Sequence, residues 1–189
     1  MLVPKIHPNL LHIDRAVLVV MDMQEPFLRN LFERERVLKN VCALIQGAKT
    51  LRLPIVATTQ NAEKTGDMAP EIQRLLPPLL PTFDKMTFSA YSSPAFSSEM
   101  QRCGRKQAII CGVESHICIS QTAHDLAASG FQVHVVADAV SSSSEFNWKL
   151  GLDKMRQGGV LLSSVETALY EMLHEAGTPE FRDILQAIK

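Results

Sequence analysis

Short apolar runs and helix-spaced apolar stripes alternate along this chain. AVLVVMD (16–22) is a β-branched run that ends at an acid, the pattern of a buried strand. Val37, Val41, Leu44, Ile45, Ala48 and Leu51 then recur at helical spacing over 35–52, and PIVATT (54–59) predicts a second strand. QAIICGV (107–113) and FQVHVVAD (131–138) predict two more, the latter again closing on an acid. Between them SHICISQTAHDLAAS (115–129) predicts a helix with Ile119, Ala123, Leu126 and Ala127 on one face, Ser115 as its N-cap and Gly130 as its stop.

Trp148, Leu152 and Met155 predict a helix that ends near Gly158-Gly159, and VLLS (160–163) a short strand. Ser163 with Glu166 fits a capping box for the next helix, whose buried face is Val165, Leu169, Met172, Leu173 and Ala176. Thr178-Pro179 opens a last helix with Phe181, Ile184, Leu185 and Ile188 inward. Two stretches lack a period. Residues 60–95 read as irregular, with Pro70, Pro77, Pro78, Pro81 and Pro94 and one short helix in MAPEIQRLL. The four serines 141–144 read as a flexible connecting loop.

Alternating strands and helices, with near-continuous apolar strands, predict an α/β fold: a mainly parallel, Rossmann-like sheet covered by helices on both faces, a three-layer αβα sandwich. No repeat or linker divides the chain, so residues 1–189 are expected to form a single domain. In such sheets ligands bind beyond the carboxyl ends of the strands. That rule directs attention to Asp22, to 58–61, to 114–118 and to 138–144.

Composition narrows the function. With 46% hydrophobic and 21% charged residues the chain is built to fold, and a net charge of −1 gives no electrostatic reason to expect nucleic acid or an anionic membrane as partner. MLVPKIHPNLLHIDR lacks the cationic start and apolar core of a secretory leader. The four cysteines, Cys42, Cys103, Cys111 and Cys118, form neither a C-x-x-C pair nor a zinc-finger spacing. Reduced thiols in the cytoplasm are the expectation, with mitochondria left open.

Cys118 is the first candidate for chemistry. At the third position of a helix capped by Ser115 it would meet free N–H groups and the positive end of the helix dipole, both of which favour a reactive thiolate. A small residue packed under the sheet accounts for its position equally well. Asp22 could take a proton or orient a nucleophile, or cap a loop. Lys85, in FDKMTFSAY, could stabilise an anion or be an ordinary surface charge. Phe27, Phe88, Tyr91 and His116 flank these residues and are candidate pocket walls, although aromatic residues there also serve as core. His116 is a poor base for Cys118, because side chains two apart on a helix diverge.

The segments VVMDMQEPF, DKMTFSAY and CGVESHICISQTAHDL, in that order, resemble the isochorismatase-like cysteine hydrolases, a family that includes nicotinamidases and carbamoylsarcosine amidohydrolases. The resemblance spans about 14–175. It implies a triad of Asp22, Lys85 and Cys118 that cleaves a small amide-type C–N bond through a thioester acyl-enzyme. It also implies a cis peptide at Val113-Glu114, an oxyanion hole of the backbone N–H groups of Glu114 and Cys118, and a homo-oligomer acting on a small molecule without a cofactor. Two departures shape that expectation. The segment ATTQNAEKTGD has no histidine where nicotinamidases hold a metal, so no metal is expected. The cysteine argues against the vinyl-ether chemistry of isochorismatase itself. The rival expectation is a non-catalytic binding or assembly protein on the same scaffold.

Overall fold

A computed structural model describes residues 7–80 and 82–189. Pro81, and residues 1–6 of the segment read as no leader, lie outside the described residues. In chain order the elements are β1 (Ala16–Met21), α1 (Glu25–Leu28), α2 (Arg34–Thr50), β2 (Ile55–Gln60), α3 (Ala62–Thr65), α4 (Pro70–Leu75), β3 (Thr82–Lys85), α5 (Pro94–Arg102) and β4 (Gln107–Val113). A π-helical turn, Ser115–Ile119, leads into α6 (Ser120–Ala128), followed by β5 (Gln132–Ser141), α7 (Glu145–Gln157), β6 (Leu161–Ser163), α8 (Val165–Leu173) and α9 (Pro179–Ile188).

The six strands form one parallel sheet in the order β3-β2-β1-β4-β5-β6. The period-2 geometry of β1 explains the layers. Ala16, Leu18 and Val20 point into a core shared with α2, α4, α8 and α9, while Val17, Val19 and Met21 point into a second core with α5, α6 and α7. The order reverses between β1 and β4, and the crevice beyond their carboxyl ends is where such sheets bind ligands. β1 and β4 approach closely there. Gly112 has φ +116, and a β-carbon on it would come within 2.0 Å of the Met21 carbonyl oxygen. Only glycine fits that strand end.

The structure corrects several expectations. Residues 60–95 are not irregular throughout: they hold the edge strand β3, and helix α5 begins at Pro94. β5 runs three residues past Asp138, to Ser141. The serine run is not a flexible connector, since Ser141 and Ser142 are fully buried and Ser144 caps α7. The cap of α8 is Ser164, whose side chain accepts from Thr167 N, and not Ser163. Asp138, by contrast, has the structural role expected of it, its carboxylate accepting from Val165 N at 3.0 Å.

His134, in the middle of β5, is buried, and its Nε2 has no partner among the described residues. Burial disfavours the imidazolium and lowers the pKa from 6.5 to about 4. The unfolded chain therefore binds a proton that the native state refuses. About 3 kcal/mol of stability, present above pH 6.5, is lost as the pH falls through 4. Urea unfolding of His134→Leu is expected to show a shallower loss of stability between pH 6.5 and pH 4 than the parent. Parallel pH profiles would show that the buried imidazole does not set the acid limb.

Candidate active site

Residues from four strand ends meet at the crevice. Asp22 follows β1 and leaves the strand in the left-handed region at φ +53, at a cost of about 1 kcal/mol for a residue with a side chain. Its backbone is pinned on both sides: its N–H donates to Thr58 O at 3.0 Å, and its carbonyl accepts from Gln24 N at 2.8 Å. Lys85 ends β3 and reaches inward, with Nζ donating to Asp22 Oδ2 at 2.8 Å and to Gln60 Oε1 at 2.5 Å. Thr58 Oγ1 donates to the other carboxylate oxygen at 2.7 Å. Both ion-pair side chains are at most 2% exposed. In so dry a place each charge depends on the other, and removing one partner typically costs about 3–5 kcal/mol.

Cys118 comes from the turn after β4. The peptide Val113-Glu114 is cis. Ile117 N and Ile119 N both donate to the Glu114 carbonyl, at 3.1 and 3.2 Å, stepping over the N–H of Cys118. Among the described residues, no turn or loop carbonyl takes the N–H of Glu114. Such π-helical turns concentrate at functional sites because they free backbone groups. Gly151 of α7 lets that helix press on the turn, for a β-carbon there would lie 2.7 Å from the Ser115 carbonyl carbon and oxygen.

Ser115 is not the helix cap. Glu114 occupies that position without a side-chain cap, and Ser115 Oγ instead shares a 2.7 Å hydrogen bond with Ser142 Oγ. The thiol state is corrected as well. Cys118 is 8% exposed, and burial, reinforced by the Asp22 carboxylate, pushes its pKa up to about 12 against the opposing pull of Lys85. The resting group is a thiol, and early alkylation at low pH is not expected of it.

Asp22, Cys118 and Gln60 line a small cavity of about 90 Å³ whose walls are Phe27, Phe88, Val113 and Ile117, with Glu114 beside them. Two of the four candidate wall residues are elsewhere. Tyr91 packs edge-on against Phe131, at 6.2 Å between ring centroids. His116 turns to Ser142, with 2.9 Å between Nδ1 and Oγ. Gln60 and Thr58 were within reach of the strand-end rule, yet no sequence signal assigned them to the ion pair. Among the described residues no three His, Cys, Asp or Glu side chains converge as metal ligands would.

This arrangement unites a buried carboxylate, an ammonium and a thiol beside the N-terminal end of a π-helical turn, on a Rossmann-like sheet. The chain matches the isochorismatase domain over residues 16–167, and it belongs to the isochorismatase family. It is 38% identical to the secreted isochorismatase effector Isc1 of Phytophthora sojae (strain P6497) over 179 residues, covering 92% of this chain and 84% of that protein. Its fold is similar to the structure of the MAR1 ribonuclease from Caenorhabditis elegans, at TM-score 0.88 and 29% identity over 94% of this chain and 91% of that one. It is also similar to the YcaC gene product of Escherichia coli, described as an octameric hydrolase of unknown specificity. That match has TM-score 0.86 and 25% identity, over 98% of this chain and 89% of the other. Family membership supports a hydrolase-type function. No helix among the described residues is long and apolar enough to cross a membrane.

Proposed function

We propose that this protein is a cysteine hydrolase that cleaves a small amide-type C–N bond through a thioester acyl-enzyme. The observation that carries the reading is the buried Asp22–Lys85 ion pair, whose carboxylate lines one cavity together with Cys118. Asp22 takes the thiol proton as Sγ attacks the carbonyl carbon. The tetrahedral oxyanion draws on the N–H groups of Glu114 and Cys118. The C–N bond then breaks, and the amine leaves with the proton held by Asp22. Water, deprotonated by the same carboxylate, releases the acid and restores the thiol. Lys85 pairs with Asp22 in a dry site and compensates the thiolate as it forms.

The lining supports a small substrate. The cavity holds about 90 Å³, none of its lining residues is a lysine or arginine, and Lys85 behind Asp22 is committed to Asp22 and Gln60. A phosphodiester backbone would require free cations at this site, so the ribonuclease description of the worm relative is not extended to this chain. The octameric description of the bacterial relative, together with exposed Phe146 and Leu150 one turn apart on α7, supports a homo-oligomer. The four unpaired cysteines support a reducing compartment, the cytoplasm first, and a single domain over 1–189 completes the reading.

The test is direct. On incubation with a panel of small primary and N-substituted amides, intact-protein mass spectrometry is expected to show an acyl mass that maps to Cys118 in the reactive cases. Amide hydrolysis with no thioester at Cys118 even under rapid acid quench, or an adduct on Cys42 or Cys103, would sink the proposal.

A further inference from the structure

The carboxylate of Glu114 has no part in the chemistry above, which draws only on its backbone. Its side chain lines the cavity and is 19% exposed. The nearest ionisable partner is His116, whose Nδ1 lies 3.5 Å from Glu114 Oε2 but makes its short contact, 2.9 Å, with Ser142 Oγ. Ser142 in turn is held by Ser115 at 2.7 Å, so the serine pair fixes the imidazole without help from the carboxylate. Among the described residues no donor makes a hydrogen bond to either Glu114 side-chain oxygen. The other polar groups of the cavity are committed: Asp22 and Lys85 neutralise each other, and Gln60 accepts from Lys85 and donates through Nε2 to Met86 O.

Among the described residues Glu114 thus accepts no hydrogen bond, and its ion-pair contact, His116 at 3.5 Å, carries charge only when protonated. Glu114 shares the cavity wall with two aromatic rings, Phe27 and Phe88, and Phe88 is 55% exposed at the mouth. A carboxylate and aromatic faces around a small hollow are the components that recognise an organic cation, the first by charge and the second by the ring quadrupole. The apolar Val113 and Ile117 suit the methylenes that join such a cation to a reacting carbonyl.

We infer that the Glu114 side chain selects substrates bearing an alkylammonium or guanidinium group, which it holds against Phe27 and Phe88 while the amide lies at Cys118. This inference names the substrate class within the proposed reading and rests on that reading for the word substrate. The cation site itself rests on geometry alone.

Binding separates the two. n-Butylammonium chloride and n-butanol, which match in shape and differ in charge, are titrated into the protein at constant ionic strength and followed by backbone amide NMR shifts at Glu114, Ile117 and Phe88. The cation is expected to bind about ten-fold more tightly than the alcohol, a preference of the size a partly desolvated charge pair supplies. Glu114→Gln, which keeps the backbone and the side-chain shape, is expected to bring the two affinities within about two-fold, while Glu114→Asp, which keeps the charge, retains a preference. Equal affinities in the parent, absence of cation binding, or a preference that survives Glu114→Gln would each overturn the inference. None of these measurements needs turnover. Cation binding without an acyl adduct would therefore fault the hydrolase reading alone, and an adduct without cation preference would fault this inference alone.

Discussion

Replacing Cys118 by alanine is expected to abolish amide hydrolysis, by a factor on the order of 10⁴ or more, while leaving the fold intact. The large kinetic effect follows from the proposed chemistry, in which the Cys118 sulfur forms the acyl bond. Gln60 is engaged on both its amide atoms, and Asp22 is held by Lys85 and Thr58. The small structural effect follows from position. Cys118 Sγ borders a cavity, so truncating it enlarges an existing hollow, and the cost is about 1 kcal/mol. Thermal unfolding and steady-state hydrolysis of the same preparation check both halves. Turnover that survives in Cys118→Ala overturns the mechanism. Absence of turnover and of any acyl adduct in the parent favours the non-catalytic binding scaffold.

Much of the fold was legible because burial on both sheet faces leaves a strong trace. The runs at 16–22, 54–59 and 107–113 became β1, β2 and β4 within a residue or two. β3 left no such trace. It is an edge strand, with Thr82 and Asp84 exposed and Phe83 half-buried, so neither a continuous apolar run nor a clean alternation marks it. From local pattern the lysine at its end could be an anion's partner or a surface charge, and only the family resemblance put it in the site; its side chain is 1% exposed. Its burial depends on parallel pairing with β2, 25 residues earlier at Gln60 and Lys85, which no local pattern encodes. The thiol state failed for a related reason. The helix-start argument weighs only local dipoles, whereas the raised pKa comes from packing and from a carboxylate 96 positions away in the chain. The capping-box spacing of Ser163 with Glu166 pointed one residue too early, since the backbone path puts the cap at Ser164.

Asp22→Asn is expected to separate two properties of Cys118 that normally travel together, alkylation and catalysis. In the parent the thiol is held protonated, with its pKa near 12, first by burial and second by the Asp22 carboxylate, while Lys85 opposes both. Asparagine keeps the shape: its one oxygen can accept from Lys85 while its amide nitrogen donates to the Thr58 hydroxyl, so access to Sγ is unchanged. It removes the anion, and the Lys85 ammonium then lacks its counter-ion in a site that is almost dry. A thiolate at Cys118 is the group best placed to replace it. The thiol pKa therefore falls, and each unit of that fall raises the thiolate fraction about ten-fold at pH 8. Iodoacetamide should consequently label Cys118 faster in the variant than in the parent, where labelling rises with pH and does not level off below pH 10. Turnover should move the other way, falling by about 10²–10⁴, since the proton acceptor for attack and the donor for the leaving amine are the same missing carboxylate. Peptide-mapped alkylation rates at several pH values, set beside kcat, decide the matter. If Asp22 served only to hold the fold around Lys85, labelling of Cys118 would track unfolding and would rise together with that of Cys42, Cys103 and Cys111. Faster labelling confined to Cys118, with lost turnover and a Tm that is lowered but still well above the assay temperature, is the signature of a carboxylate that restrains the thiol at rest and takes its proton during attack.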